Sequence, residues 1–392
     1  MAVAEFYEKI LKSLDSDKMT CAVLLDLSKA FDSVDRKILM YKLLNYGIRG
    51  KAWDLMNSYL ENRKQFVCAG GIESRLANVN VGVPQGSVLG PLLFILHIND
   101  MKSSTQMNVL NFADDTVLYM DFDGLKNVEN FINNELEKVN VWMETNHLRI
   151  NASKTKYMIF APNNKIFSHA SNIKLKIGKS LHLEQVDEYK YLGLIIDSKL
   201  TWNSHIQRLH SKLSQSLGIL YRCRHYLNKK SLILLFHSLF STHLNYGILC
   251  WGRCGGLKSL QIIVNKAIRC INFLSYRDNV SHYYYKDNFM PIDDIYKLEL
   301  GKFMFKFNKN LLPSTFNNYF QRASSVHHHL TRYSKNNYFV PQSKKNSGLK
   351  CLSSLGTDLW SGIPDSLKAK NELNSFVNNY KELLKVKYNS NL

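Results

Sequence analysis

Apolar positions recur along this chain at two periods, and the change from one to the other organises it. Residues 4–14 read as a short helix, and Ala22 to Leu25 is a brief apolar run ending at Asp26, as a buried strand would. Ser33 and Asp35 precede Ile38, Leu39, Leu43 and Leu44, which recur at helical spacing, so a hydroxyl or carboxylate there can cap a helix. After Pro84-Gln85-Gly86-Ser87, the nearly continuous apolar run Val88 to Ile98 predicts a buried helix with Ser87 as its cap. Val109 to Phe112 and Thr116 to Met120 flank Ala113-Asp114-Asp115 and predict a hairpin with acids at its turn. From Val128, the apolar residues Phe131, Ile132, Leu136, Val139, Trp142 and Met143 keep a 3.6 period and predict an amphipathic helix to about Asn146. Lys156 to Phe160 and Tyr189 to Ile196 read as strands. This order predicts an α+β fold, an antiparallel sheet with helices packed on one face.

The pattern turns helical after Trp202. Ile206, Leu209, Leu213, Leu217 and Leu220 mark a helix, and more follow through Leu274, with Arg208, Lys212, Arg222, Arg224, Lys229 and Lys230 among them. The most apolar window, Leu232 to Trp251, contains His237, His243 and Asn245. A spanning helix needs about 20 mainly apolar residues, so a buried helix is expected and no membrane partner. Residues 276–350 are rich in Asn, Lys, Tyr and Ser with weak periodicity. The expected domains are therefore 1–200, a helical 201–275, and a basic, mixed 276–392.

Charge sharpens this division. Residues 1–150 carry 16 Lys+Arg against 19 Asp+Glu, a net of −3, whereas residues 151–392 carry 35 against 13, a net of +22. An acidic head on a basic body suggests carboxylates gathered for metal and a surface for a polyanion. The cysteines, Cys21, Cys68, Cys223, Cys250, Cys254, Cys270 and Cys351, are odd in number and irregularly spaced, which fits free thiols in a reducing compartment. Cys250, Cys254, Cys270 and His243 lack the Cys-x2-Cys pair of a zinc site, and the run His327-His328-His329 reads as a solvated loop.

The candidate chemistry lies in three acids: Asp26 at a strand end, and Asp114 with Asp115 at a hairpin turn. Neighbouring strands could bring them together, and clustered carboxylates usually need divalent metal. Two Mg²⁺ ions would clamp the attacking and leaving oxygens of a phosphoryl transfer, and Mg²⁺ is satisfied by few carboxylates plus substrate phosphates. Strand alternation favours Asp114 over Asp115 as a principal ligand. On spacing alone, an Asp-Asp turn and an Asp26 helix cap explain the same residues.

The residues around these acids resemble a known family. Leu25-Asp26-Leu27-Ser28-Lys29-Ala30-Phe31-Asp32-Ser33-Val34-Asp35 resembles the first catalytic motif of LINE-type, non-LTR retrotransposon reverse transcriptases. Gly82-Val83-Pro84-Gln85-Gly86-Ser87-Val88-Leu89-Gly90-Pro91 resembles the second, and Phe112-Ala113-Asp114-Asp115 the third. Asn151-Ala152-Ser153-Lys154-Thr155 is similar to the fourth and Tyr191-Leu192-Gly193 to the fifth. Gly356-Thr357-Asp358-Leu359-Trp360-Ser361-Gly362-Ile363-Pro364 resembles the tail of jockey-like elements, with Ser361 where Asn is usual. Telomerase and group II intron enzymes share the chemistry, but Ala30-Phe31-Asp32 and Pro84-Gln85-Gly86 look LINE-like.

The resemblance implies a polymerase palm followed by an all-α thumb, and an RNA-directed DNA polymerase acting on an RNA template, a DNA primer and dNTPs. Asp26 and Asp114 would ligate two Mg²⁺ ions, or Mn²⁺ as a substitute, with Asp115 the third metal-site acid beside the primer end. The Leu27 backbone would lie next to the triphosphate. Phe31 would exclude a ribose 2′-OH, unless it is simply a core residue. Gln85 and Gly86 would contact the nascent pair and template, Gly86 through close backbone approach. Lys154 would act as general acid to pyrophosphate, unless it is simply solvated. Tyr191, Leu192 and Gly193 would support the primer, and Arg208, Lys212, Arg222 and Arg224 would hold backbone phosphates. About 25 residues precede Asp26, so the resemblance also predicts a chain without the family's fingers and endonuclease. That leaves, as an alternative, an inactive truncated remnant that binds nucleic acid. A nuclear or cytoplasmic setting is expected.

Overall fold

The computed structural model describes residues 1–162, 173–178, 181–326 and 337–389. Two compact units are present, one of residues 17–188 and one that joins residues 3–16 to 189–392. Helix α1 (Ala2–Asp15) therefore belongs with the second unit.

The first unit begins with β1 (Met19–Leu25), α2 (Ala30–Ser33), α3 (Arg36–Asn45) and α4 (Lys51–Leu60). Two short exposed ladders follow, β2 (Lys64–Gln65) with β5 (Ala77–Asn78) and β3 (Cys68–Ala69) with β4 (Ile72–Glu73). Next come α5 (Leu89–Ile98), β6 (Asn108–Phe112), β7 (Asp115–Phe122), α6 (Val128–Thr145), β8 (Lys156–Phe160), the ladder β9 (Lys176–Ile177) with β10 (Leu181–His182), and β11 (Glu184–Gln185). The main sheet has the order β11-β8-β1-β7-β6. Its pairings are antiparallel except for β11 on β8. All of β1 is buried, which is why it reads as a continuous apolar run rather than an alternation. Met19, Cys21, Val23 and Leu25 share one face of β1. They form a core with Leu39 and Leu43 of α3, Leu93 and Phe94 of α5, and Ile132, Leu136 and Val139 of α6.

Of the two cap candidates before α3, Asp35 serves, accepting from the amides of Lys37 and Ile38 at 2.8 and 3.1 Å. Ser87 accepts from the amide of Gly90 at 2.9 Å at the start of α5. His97, at the end of α5, is fully buried, and burial together with the Lys42 ammonium holds its imidazole down to about 4.

The second unit contains α1, a hairpin of β12 (Glu188–Tyr191) and β13 (Leu194–Asp197), and α7 (Asn203–Cys223). Helices α8 (Lys229–Phe236), α9 (Thr242–Asn245), α10 (Ile248–Trp251), α11 (Leu257–Ile271), α12 (Ser281–Lys286) and α13 (Ile292–Asn308) follow, then helices Leu352–Ser361 and Leu373–Asn389. Two expectations are corrected here. The strand expected over Tyr189 to Ile196 is a hairpin, because Leu192 and Gly193 take φ of 45° and 83°, a turn whose twist folds one strand back on the next. The single helix expected over Leu232 to Trp251 is interrupted by a π-helical turn at His237–Ser241 and ends at Asn245, before Gly247 at φ 64°. Among the described residues no helix is long and apolar enough to cross a membrane.

Two carboxylates of α1 hold the distant 344–353 segment. Glu8, with no exposure, accepts from the amides of Leu352 and Ser353 at 2.6 and 3.3 Å, at the start of helix Leu352–Ser361. Asp15 accepts from the amides of Lys345 and Gly348 at 2.8 and 3.2 Å. The 327–329 histidine run lies outside the described residues.

Candidate active site

The sheet brings the three acids to one end. Leu25 pairs with Thr116 across β1 and β7, so Asp26 and Asp115 continue the same register. Phe112 pairs with Asp115, leaving Ala113 and Asp114 as the turn between β6 and β7. Ala113 sits at φ 53°, where a side chain is uncommon, so the turn holds Asp114 in place at a cost in local strain. Asp114 and Asp115 are exposed and Asp26 half-buried. Among the described residues, none of the three carboxylates accepts a hydrogen bond or pairs with a cation. Partial burial raises the Asp115 carboxyl above its ordinary value, and the charges of Asp114 and Asp26 raise it further. Like charges here go uncompensated, so the donor set fits a divalent cation. Among the described residues, no group of three His, Cys, Asp or Glu is by itself close enough to hold a metal ion. A site of this kind is completed by substrate oxygens.

The backbone after β1 is fixed by the segment before β8. Asp26 O accepts from Asn151 N at 2.8 Å, Ser28 N donates to Arg149 O at 2.8 Å, and Leu27 bridges Ile150. These bonds use groups of Asp26 and Ser28, which turns the N–H and C=O of Leu27 to the opposite side. Asp26 N donates to the buried Thr155 hydroxyl at 3.2 Å, so Lys154 is one residue from Asp26's own anchor, with its side chain exposed. Thr155 carried no chemical signal of its own in the sequence.

The first two motif segments also dock on each other. Val83 N donates to Phe31 O and Gly82 N to Val34 O, at 2.9 and 2.8 Å. Gly82 has φ 82°, and a Cβ there would come 2.8 Å from the Asp32 backbone, so this contact admits only glycine. The Gln85 amide donates to Asp32 Oδ1 at 2.8 Å. Arg36 Nε donates to Gly82 O at 2.9 Å and its guanidinium also reaches the carbonyls of Val79 and Val81. Sequence reasoning missed Asp32 and Arg36 because their partners lie some 50 positions away. Gly86 has φ 77°, a left-handed conformation that favours glycine, and among the described residues no atom lies within 4 Å of an added Cβ. Phe31 is half-buried, its ring 4.7 Å from that of Phe94, so it is packed on the core and partly open at once.

A groove of about 710 Å³ beside these motifs is lined by Lys29, Arg36, Arg63 and Lys64 with Gln85 and a lone acid, Asp32. Partial burial lowers the Arg36 pKa and the neighbouring Arg63 charge lowers it further, a repulsion that a polyanion would relieve. Arg63 and Lys64 gave no motif signal and were also missed.

Residues 5–196 match the family model for reverse transcriptase (RNA-dependent DNA polymerase). That segment belongs to the reverse transcriptase family. The reverse transcriptase similarity extends over non-LTR relatives. A probable RNA-directed DNA polymerase from transposon X-element of Drosophila melanogaster is 30% identical over 284 residues, 67% of this chain and 29% of that protein. The RNA-directed DNA polymerase from mobile element jockey of the same species is 28% identical over 276 residues, again 67% of this chain and 29% of that protein. The chain thus spans under a third of the length of the curated relatives it matches. Among solved structures, telomerase from Candida albicans with a fragment of telomeric RNA aligns with 75% of this chain and 50% of its own, at 14% identity and a TM-score of 0.36.

The second unit positions the remaining candidates. Tyr191 is buried, and Leu192 and Gly193 form the β12–β13 turn. The Tyr246 hydroxyl donates to Leu192 O, and its ring lies 3.3 Å from where a Gly193 Cβ would be. On α7, Arg208, Lys212 and Arg222 are exposed and fall within an arc of about 80°. Arg224 differs, being half-buried with its guanidinium 4.9 Å above the Phe273 ring.

Proposed function

We propose that the chain is an RNA-directed DNA polymerase that extends a DNA primer on an RNA template with dNTPs. The observation that supports this reading is the trio of carboxylates at one end of the sheet, without a partner among the described residues, inside a reverse transcriptase domain. Asp26 and Asp114 would hold two divalent ions, Mg²⁺ with Mn²⁺ as a substitute, and Asp115 would complete the set beside the primer end. When bound, such ions supply Lewis acidity to the attacking hydroxyl and the leaving oxygen.

The chain's own residues would do the positioning. The N–H and C=O of Leu27 would face the triphosphate. Lys154 would give a proton to departing pyrophosphate. The open side of Phe31 would exclude a 2′-OH by bulk. Gln85, held by Asp32, and Gly86 would contact the nascent pair, with Arg63 and Lys64 along the template. Tyr191, Leu192 and Gly193 would support the primer strand. Arg208, Lys212 and Arg222 would hold backbone phosphates, with Arg224 steadied on its aromatic partner. The work would take place in the nucleus, where chromosomal DNA supplies primer ends, after assembly with RNA in the cytoplasm.

Primer extension by the purified chain on poly(rA)/oligo(dT) with dTTP and Mg²⁺, beside Asp114→Ala, tests the reading. Incorporation that Asp114→Ala abolishes is expected. Incorporation undiminished in that variant would remove the carboxylates from the mechanism, and duplex binding without any incorporation would defeat the polymerase reading. Arg208→Ala and Lys212→Ala are each expected to shallow the salt dependence of duplex binding, by about one in the log–log slope.

A further inference from the structure

The two ends of α7 keep different company. In its first half, Arg208 and Lys212 line a cavity of about 330 Å³ with Gly193 and Tyr246. Arg222 lies about 21 Å further along the helix axis than Arg208, at 1.5 Å per residue. There the C-terminal end of α7 meets that of α11, joined by the Arg224 guanidinium 4.9 Å above the Phe273 ring. Residues 221–228 and 269–277 carry four arginines, four aromatic residues and no acid, so the surface they make is cationic and aromatic together. Among the described residues none of these arginines is in an ion pair. Tyr226, Phe273 and Tyr276 are 89%, 54% and 77% exposed, so three large rings face water where burial would have been favourable.

A second observation comes from the backbone. Helix α11 ends in a Schellman turn: Phe273 N donates to Cys270 O at 3.4 Å and Leu274 N to Arg269 O at 3.0 Å. The left-handed residue of such a turn is usually glycine. Here it is Phe273, at φ 56°. A phenylalanine makes this cap more strained than glycine would, and it leaves half of its own surface in water. Neither capping nor core packing accounts for it, whereas a ligand for its exposed ring does. The stretch that follows is firmly held. Arg269 Nε donates to Asp278 O at 2.9 Å, and the next acid along the chain, Asp278, turns its Oδ2 onto Ser275 N at 2.7 Å, which fixes the backbone around Tyr276.

We propose that this surface binds unpaired RNA, with bases stacked on Tyr226, Phe273 and Tyr276 and phosphates held by Arg222, Arg224 and Arg277. A duplex keeps its base faces stacked inside and presents phosphates and groove edges, so exposed rings give it nothing, whereas an unpaired strand offers a face to each ring. Arginine suits the role because its planar fork both stacks on rings and takes phosphate oxygens in pairs. Two of the three rings are tyrosines, whose hydroxyls can hydrogen-bond a ribose 2′-OH, which favours RNA over DNA. This rests on the phosphate role given above to Arg222 and Arg224 and adds the strand they hold; polymerase activity is not required for it.

Fluorescence anisotropy of the full chain with a labelled oligoadenylate RNA of about 12 nucleotides, beside a blunt RNA duplex of the same length, tests it. Tyr226→Ala and Tyr276→Ala should each weaken single-strand binding about tenfold, the scale of one lost base stack, and duplex binding by less than about twofold. Tyr226→Phe, which keeps the ring face, should bind the single strand nearly as the parent does. Phe273→Gly should also lose about tenfold while melting near the parent, since glycine relieves the left-handed turn. Arg222→Ala should weaken single-strand binding and shallow its salt dependence. If only the arginine change matters and the ring variants bind as the parent does, the phosphate role stands and the stacking proposal falls. If neither matters, both fall. Equal losses on strand and duplex, or a deoxyoligonucleotide bound as tightly as the RNA, would also overturn the proposal.

Discussion

Two hairpin turns of this molecule, one in each unit, are built in opposite ways. The Ala113-Asp114 turn is open: its carboxylates have no partner among the described residues, and its left-handed residue is an alanine. The Leu192-Gly193 turn is closed: Tyr246 hydrogen-bonds its carbonyl and lies against its glycine, and Trp251 donates back to Tyr246 O at 3.0 Å. The strained, electrostatically unsatisfied turn is suited to be completed by something that comes and goes. The satisfied one is suited to act as a fixed support. A turn's role is therefore written in what its neighbours leave undone.

That contrast can be broken at several points. The largest effect is expected from Asp114→Ala, a loss of about 10²–10³-fold or more in turnover, on the scale of removing one group aimed at developing charge. Its melting temperature should stay near the parent's, because the carboxylate is exposed and repelled by its neighbours. A large fall in melting temperature would show that the open turn is structural after all.

Acidification should affect both units alike. His97 and His205 are each held down to about 4, chiefly by burial, then by Lys42 at His97 and by Arg208 and Lys212 at His205. Between the ordinary 6.5 and 4, the unfolded chain takes up protons that the fold refuses, so stability falls as pH drops through that window and is level above it. Each imidazole contributes up to about 3 kcal/mol of this loss. His205 also sits under the closed turn, where its Nδ1 accepts from Ile195 N at 3.4 Å. Urea midpoints flat from pH 7 to 4.5 would sink this expectation.

Gly193→Ala should cost about 1–2 kcal/mol through its left-handed φ and its crowding on Tyr246. Tyr246→Phe should cost about 1 kcal/mol for one hydrogen bond. If chemical denaturation finds either change neutral, Tyr246 does not fix the second turn.

Elements with a long, unbroken period were legible in the sequence. The helix expected from Val128 to about Asn146 runs Val128–Thr145, and the strand Lys156–Phe160 has those bounds. Elements interrupted by backbone geometry were not. Nothing apolar or polar marks Leu192 as left-handed, so the hairpin read as one strand, and an apolar window hid the break at Gly247. The three acids and their convergence were readable because each lies at the end of a clear strand. The Asp26–Thr155 and Gln85–Asp32 contacts were not, since each joins segments whose separation no local pattern encodes.

The Glu8 contacts have a consequence in time. Its partner Leu352 lies 344 positions further along the chain. At about 5–20 residues per second, a ribosome makes that partner roughly 20–70 s after Glu8. Throughout that interval a carboxylate destined for a fully buried place has no amides to receive it, and helix α1 can only wait. The unit that joins the two ends of this sequence is therefore a late product of synthesis, whereas residues 17–188 contain every strand of their own sheet and can close first.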